Sequence, residues 1–520
     1  MLLQIELLYF VLMIGSFIAL LLWAKLPSGL CLMISAVIGA VVSMIFSQTP
    51  FDLRYFVEGT FGYFDTILVI TTAMIFMGVM QVSGALEYLN VVLVKAFRTV
   101  PSALLVCFML IIMFPAMVTG SSLASAISAG ALVAPIMIKW GIPKAKTGAI
   151  IAMGAILGMV APPVNVPAMV ICEVVDIPYT GFTVPLMILA IPLAIVTVLM
   201  LGRKYVKAIS KEDVEKVVDT SITKQVKWYV LLPLILLIVL IVLQNLLPKY
   251  FGPLGMSLMF VICAALGFFT GKRLPFFVVK KREEKKPAEE QGDEIAVPGT
   301  YSEQKNEEDD TPDSVVAVIK QGVYKSFSAM GLLMGVGMFM EIITLNGVRG
   351  YFTVNALSFP SFLMYVSMAI AVPVFGGISA FGSASILGGP YVMAFIASNQ
   401  IYVTCGLSLL AALGEFMPPT AMSATFASKI VGEKSWTSVT KAALLAMAVV
   451  FVYALLYTIG FASWVQTTPS LATVLLAVML GLSALTLIVL VAVELKTYFK
   501  NRNQLAVTAT AAESDEGKED

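Results

Sequence analysis

Between Phe114 and Cys172 the chain is apolar enough to lie in a bilayer, yet it is interrupted where a simple spanning helix has no need of interruption. Gly120, Ser121 and Ser122 break the first part, and Ala161-Pro162-Pro163-Val164-Asn165 breaks the second. A double proline removes two backbone donors and leaves upstream carbonyls without partners. In hydrocarbon those carbonyls have no water to turn to, so broken backbone at membrane depth is tolerated only around protein-lined or wet cavities. Discontinuous helices of this kind form the substrate and ion sites of secondary transporters. The rest of the chain has to be compatible with that constraint.

It is. Of 520 residues, 59% are hydrophobic and 12% charged, against roughly 25% charged in a soluble domain. Mean hydropathy is +0.94, and apolar runs of about 20 residues, each long enough to cross a bilayer core, recur throughout. No basic segment precedes the first run, MLLQIELLYF, so the first helix is expected to be retained. The sequence has no histidine, which removes the commonest metal ligand and the usual proton relay. Five cysteines lie apart in apolar segments and read as small core residues, with no disulfide framework or thiolate metal site. A net charge of +1 gives no reason to expect nucleic acid as a partner.

In chain order, helices are expected over 5–24, 28–47 and 66–82, with an amphipathic piece over 87–98. No charge then appears until Lys139, which leaves room for two crossings or one re-entrant hairpin. A broken helix over 147–172 and a plain one over 181–202 follow. The segment 203–228 is lysine-rich and aqueous; helices over 229–247 and 252–270 lead to a polar stretch, 271–313, whose lysine, glutamate and proline content predicts disorder. A helix over 323–345, a second irregular region over 352–430, and helices over 439–463 and 471–494 complete the chain. The implied division is 1–50 as N-terminal scaffold, 51–202 as a first unit, 203–311 as loops and two connecting helices, 312–463 as a second unit, and 464–520 as a last helix and tail. With the N-terminus outside and the C-terminus cytoplasmic, only Arg54, Lys249 and Arg349 of 33 basic residues lie on the outer face, as the positive-inside rule requires.

The second irregular region echoes the first. Phe76-Met77-Gly78 with Ser83-Gly84 recurs as Phe339-Met340-Glu341 with Asn346-Gly347. Gly120-Ser121-Ser122 recurs as Gly382-Ser383-Ala384-Ser385, and Pro162-Pro163 as Pro418-Pro419, followed by Thr420. Combined with the orientation, this predicts an all-α polytopic fold of two inverted repeats, each with a re-entrant hairpin and a broken helix. Taken singly, a Gly-Ser cluster in a membrane helix ordinarily serves close packing, and a lone proline a kink. Two clusters and two Pro-Pro breaks in matched, inverted positions point instead to a site.

The runs Gly120-Ser121-Ser122-Leu123-Ala124 and Gly158-Met159-Val160-Ala161-Pro162-Pro163, with Ile75-Phe76-Met77-Gly78, resemble the large membrane subunit of TRAP (tripartite ATP-independent periplasmic) transporters. The resemblance covers about 10–202 well and 320–465 more loosely, and extends to the wider ion-transporter superfamily. It implies an elevator-type permease of the cell (inner) membrane that imports a small organic anion, C4-dicarboxylate-like or a related carboxylate, with sodium. It further implies a small four-helix membrane subunit and an extracytoplasmic substrate-binding protein as partners. By position, Ser121, Ser122 and Asn165 would surround one cation and Ser383, Ser385 and Thr420 its mirror, with Ser125, Gly382 and the Pro-Pro pairs completing the site. Sodium would be held through Ser121, Asn165, Ser383 and Thr420; no other cofactor is implied.

Serine, threonine and asparagine oxygens suit a monovalent cation, and helix N-termini at the breaks suit a carboxylate. Two acids in apolar surroundings, Glu341 and Glu415, are candidates for coupling, since intramembrane acids are functional by default. Glu415, just before Pro418, reads equally as a carboxylate that satisfies freed backbone. A stand-alone carboxylate carrier and an ion exchanger or channel are the competing readings. An enzyme is not expected, because neither histidine nor a nucleophile with a base is present.

Overall fold

The computed structural model describes residues 2–47, 53–208, 218, 223, 226–251, 254–271, 312, 314–358, 360–467, 481, 488 and 491–496. The expected disordered stretch 271–313 and helix 471–494 fall largely outside these, as does most of 203–228. Among the described residues all regular structure is helical, and eight helices are long and apolar enough to cross a membrane. Two of them exceed the sequence expectation. The third span begins at Leu53 and runs, with a kink at 62–63, to Val82; the helix expected at 323 begins at Val315 and continues for 31 residues to Leu345.

That long helix organises one layer. It packs on Ser28–Ser47, Leu53–Phe61 and Phe64–Val82, and does so through glycine. A Cβ at Gly335 would fall on the Gly29 carbonyl, one at Gly337 on the Gly59 carbonyl, and one at Gly322 would lie 2.8 Å from Ile75 Cα. Small residues at helix crossings let backbones touch where no aqueous hydrophobic effect is available to drive association.

The second layer holds the interrupted segments. Pro101–Thr119 runs in, the chain reverses at Gly120 and Ser121, and Ser122–Lys139 runs back. The reversal is visible in the Ser125 hydroxyl, which donates to the Ile112 carbonyl across the two arms. Ser361–Gly376 and Ala380–Ala394 repeat the pattern, with Ser383 donating to Val372 O at 2.7 Å. Over 101–139 the chain folds back on itself as a helical hairpin, each arm of which is long and apolar enough to cross a membrane. Each return arm passes through a π-helical turn, Ala126–Gly130 and Ala384–Gly388, 258 positions apart.

The broken helices lie beside the hairpins. Lys144–Val160 and Val166–Val175 flank the first break; Gln400–Leu413, a 3₁₀ turn Gly414–Phe416, and Met422–Val431 flank the second. Every residue from Thr147 to Val160 is buried, as an apolar helix without a polar stripe requires. Gly158 and Gly414 stand at matching places: a Cβ on Gly158 would come within 2.5 Å of Met113 O, and one on Gly414 within 2.6 Å of Gly376 Cα.

The two broken helices run antiparallel. Gly148 near the start of the first lies against Val431 at the end of the second, Asn165 bonds Ser408 at 2.8 Å, and Gly181 meets Ile401. Each return arm packs on the far half of the other unit's broken helix: Gly388 and Gly389 press on Ile171 and Val174, and Ala126–Gly130 lies on Met422–Val431. The two Pro-Pro breaks therefore sit in the middle of the same layer, back to back.

Candidate functional site

The first hairpin turns at Gly120, whose φ of +66° is left-handed; a Cβ there would also strike Val166 and approach Val164. The tip thus lies directly on the first break. Ser121 caps the return arm, its hydroxyl accepting from Ala124 N–H at 3.3 Å. Thr119 turns its own hydroxyl to Pro115 O at 2.7 Å, and so answers the carbonyl nearest the internal proline. Small side chains that bond locally are what a tight reversal of this sort demands.

The break itself is held by side chains. Asn165 Nδ2 donates to Val160 O at 3.0 Å and to Ser408 Oγ, while its Oδ1 accepts from Ala168 N–H at 3.0 Å. One amide closes the carbonyl freed at the end of the first half and caps the start of the second. The Tyr179 phenol adds two bonds, accepting from Asn165 N–H and donating to Pro163 O, both at 3.2 Å. Val164 N–H reaches across to Met117 O in the hairpin at 3.1 Å. Both Pro-Pro bonds, Pro162-Pro163 and Pro418-Pro419, are cis.

The second site is built on the same plan in a different register from the sequence expectation. Its tip is 377–379, not Gly382. Ser379 caps the return arm by accepting from Gly382 N–H at 3.1 Å, 258 positions after Ser121. Ser383 matches Ser125, one turn into the arm, and Ser385 is fully buried in the π-helical turn. The correction has a physical cause. A cap hydroxyl must precede the helix it caps, and Gly382-Ser383 is already helical, whereas Gly376-Gly377-Ile378-Ser379 supplies two glycines for the close approach and then the cap. A Cβ on Gly377 would sit 2.9 Å from Pro418 O, and the Thr420 hydroxyl donates to Gly377 O at 2.7 Å. Tip and break therefore meet in this unit too. Ser379, Gly377, Tyr179, Ser408 and Ser423 were missed from the sequence; of these, only the Gly-Gly-x-Ser spacing carried a readable signal.

Glu415 joins the two units. It is 4% exposed, and one carboxylate oxygen accepts from Ser122 at 2.6 Å and from Ser423 at 2.5 Å. Ser122 belongs to the first hairpin, while Glu415 and Ser423 flank the second break. The matching places in the other unit hold Ala380, Met159 and Pro167, so this polar crossing exists on one side of the pair only. Glu341 stands elsewhere. It lies on the long Val315–Leu345 helix, partly buried, with Glu58 and Arg349 as its charged neighbours. Arg349 in turn donates to Val174 O at the end of the first broken helix.

Comparison with curated proteins finds no match. Among solved structures, the chain is similar to the YdaH transporter of Alcanivorax borkumensis, whose crystal structure was described as revealing an unusual topology. The TM-score is 0.51 at 14% identity, over 78% of this chain and 86% of that one, a likeness of fold. A family model described as "Tripartite ATP-independent periplasmic transporter, DctM component" matches residues 14–464. Hairpins, broken helices and long helical layer all fall within that span, and the chain belongs to the DctM family of TRAP transporters.

Proposed function

We infer that this TRAP-type secondary transporter imports a small organic anion, C4-dicarboxylate-like or a related carboxylate, together with sodium. The observation that carries the reading is the pairing of each hairpin tip with a Pro-Pro break, at Gly120 with Val164 and Val166 and at Gly377 with Pro418. At each meeting neutral oxygens gather and helix N-termini begin. Ser121, Ser122 and Asn165 supply the first set; Ser379 and Thr420 with the Gly377 carbonyl supply the second, with Ser383 and Ser385 behind them. Hydroxyl, amide and carbonyl oxygens neutralise a monovalent cation without a full buried charge. The starts of Ser122–Ser125 and Val166–Val175 leave N–H groups and a positive dipole end for a carboxylate.

The reading places the layer of hairpins and broken helices as the part that carries the cargo, sliding on the glycine-lined long helix. Inverted units around one central site are the usual basis for alternating access. It also places the protein in the cell (inner) membrane, N-terminus outside, working with a small four-helix subunit and an extracytoplasmic binding protein. The test is uptake by proteoliposomes across a panel of carboxylates, with and without an imposed sodium gradient, and with and without those two partners. Sodium-driven uptake of a carboxylate that rises several-fold with the partners is the expected result. Equal uptake by the chain alone would favour a stand-alone carrier, and uptake driven by a pH gradient without sodium would overturn the sodium assignment.

A further inference from the structure

The helix Pro101–Thr119, the inward arm of the first hairpin, begins without a cap of its own. Val100 stands at the cap position and offers no side-chain acceptor, and Pro101 has no N–H to satisfy. Ser102 is the first residue to present a donor, and it is fully buried. A buried first-turn N–H without a partner is costly, so an acceptor has to come from elsewhere in the molecule.

It comes from the far end of the chain. Glu494 Oε2 accepts from Ser102 N–H at 3.0 Å, and Oε1 accepts from the Ser102 hydroxyl at 2.6 Å. The same Oε1 pairs with Arg203 Nη2 at 2.7 Å, where Arg203 closes the helix Thr183–Gly202. Glu494 is 8% exposed. A carboxylate so deeply buried is tolerated only when both oxygens are engaged, and here they are, at a helix N-terminus whose dipole favours the charge. One side chain therefore ties three remote segments: the base of the first hairpin, the end of Thr183–Gly202, and residues 491–496. The last lies beyond residues 14–464, which the family model matches.

We propose that Glu494 is an intramolecular clasp, a cap delivered to the first hairpin from the C-terminal segment, which binds that segment to the hairpin layer so that the two move as one body. Removing the carboxylate strands the Ser102 N–H and hydroxyl together. The ratio of clasped to released segment should then fall by about 5- to 150-fold. The experiment places nitroxide labels at Lys204 and Lys496, both exposed neighbours of the clasp, in the full-length chain with its cysteines replaced, and measures their separation by pulsed electron resonance in nanodiscs. The parent should give one narrow distance. Glu494→Ala should add a longer, broader population; Arg203→Gln and Ser102→Ala, which each remove part of the contact, should add smaller ones. Should Glu494→Ala fail to insert, the two milder variants decide the matter. A distribution unchanged by Glu494→Ala, or by both milder variants, overturns the proposal and leaves apolar packing as what holds the segment. No substrate or ion enters the measurement, so its outcome is separate from that of the transport assay.

Discussion

Asn165 does with one amide what a break in a membrane helix most needs done. It answers the Val160 carbonyl before the gap and the Ala168 N–H in the first turn after it, and adds a bond to Ser408 in the other unit. Asn165→Ala should therefore cost about 1–3 kcal/mol, from a lost cap and a stranded carbonyl, seen as a lower melting midpoint in detergent; a midpoint equal to the parent's would show the bonds are not needed. Ser121 has a lighter structural duty, a single cap bond of 3.3 Å, and is one of the proposed sodium donors. Ser121→Ala should weaken apparent sodium affinity by roughly 5- to 150-fold, the equivalent of one lost buried partner. Glu415→Gln keeps an acceptor for Ser122 and Ser423 and should leave sodium-driven uptake largely intact, whereas Glu415→Ala strands both hydroxyls. Silent serine variants combined with an inactive Glu415→Gln would transfer the coupling role from the hydroxyls to the acid.

At the level of elements, the hairpins and broken helices meet both by side chains packed on glycines, as at Gly388 on Ile171, and by close backbone approach. Gly158 and Gly414 mark the two crossings, and the atoms that a Cβ would meet there are backbone and, at Gly158, the Ala116 Cβ, none of which can rotate away. Gly158→Ala and Gly414→Ala should each destabilise by about 1–3 kcal/mol through overpacking. Gly15→Ala, where a Cβ meets nothing within 4 Å, should be neutral or slightly stabilising, because alanine is the better helix former. Thermal midpoints of the three variants, measured side by side, check this; equal midpoints would mean that the crossings are looser than they are drawn. The π-helical turns at matching places in the two return arms are a second shared device, of the kind often found at functional sites.

For the whole molecule, the two broken helices run antiparallel, and Glu415 marks where the two units differ. Its counterpart is Met159, so the two halves of the layer are alike in backbone and unlike in charge. With the orientation expected from the charge distribution, cysteines placed at 285–310, beyond the described residues, should resist an impermeant reagent in intact cells, while one at Asp176 should react. Reaction within 285–310 would reverse the assigned orientation.

Apolar run length, the Pro-Pro pairs and the distribution of lysine and arginine were enough to establish a helical, multi-spanning chain with two interrupted regions, because hydrocarbon forbids unsatisfied backbone and each interruption therefore shows in the residues that make it. The resemblance to TRAP permeases rested on the same residues. The register of the second tip could not be read that way: Gly382-Ser383 and Gly377-Ile378-Ser379 each offer a glycine and a serine, and which one turns the chain depends on where Pro418 and Thr420 meet it. Nor could sequence foretell that Ser122 bonds Glu415, or that Ser102 is capped by Glu494, since partners nearly 300 and 400 positions away are chosen by packing. Local chemistry decided where the helices break; only the tertiary structure decided what each break faces, because a hydrogen bond depends on distance in space and the chain records only distance along itself.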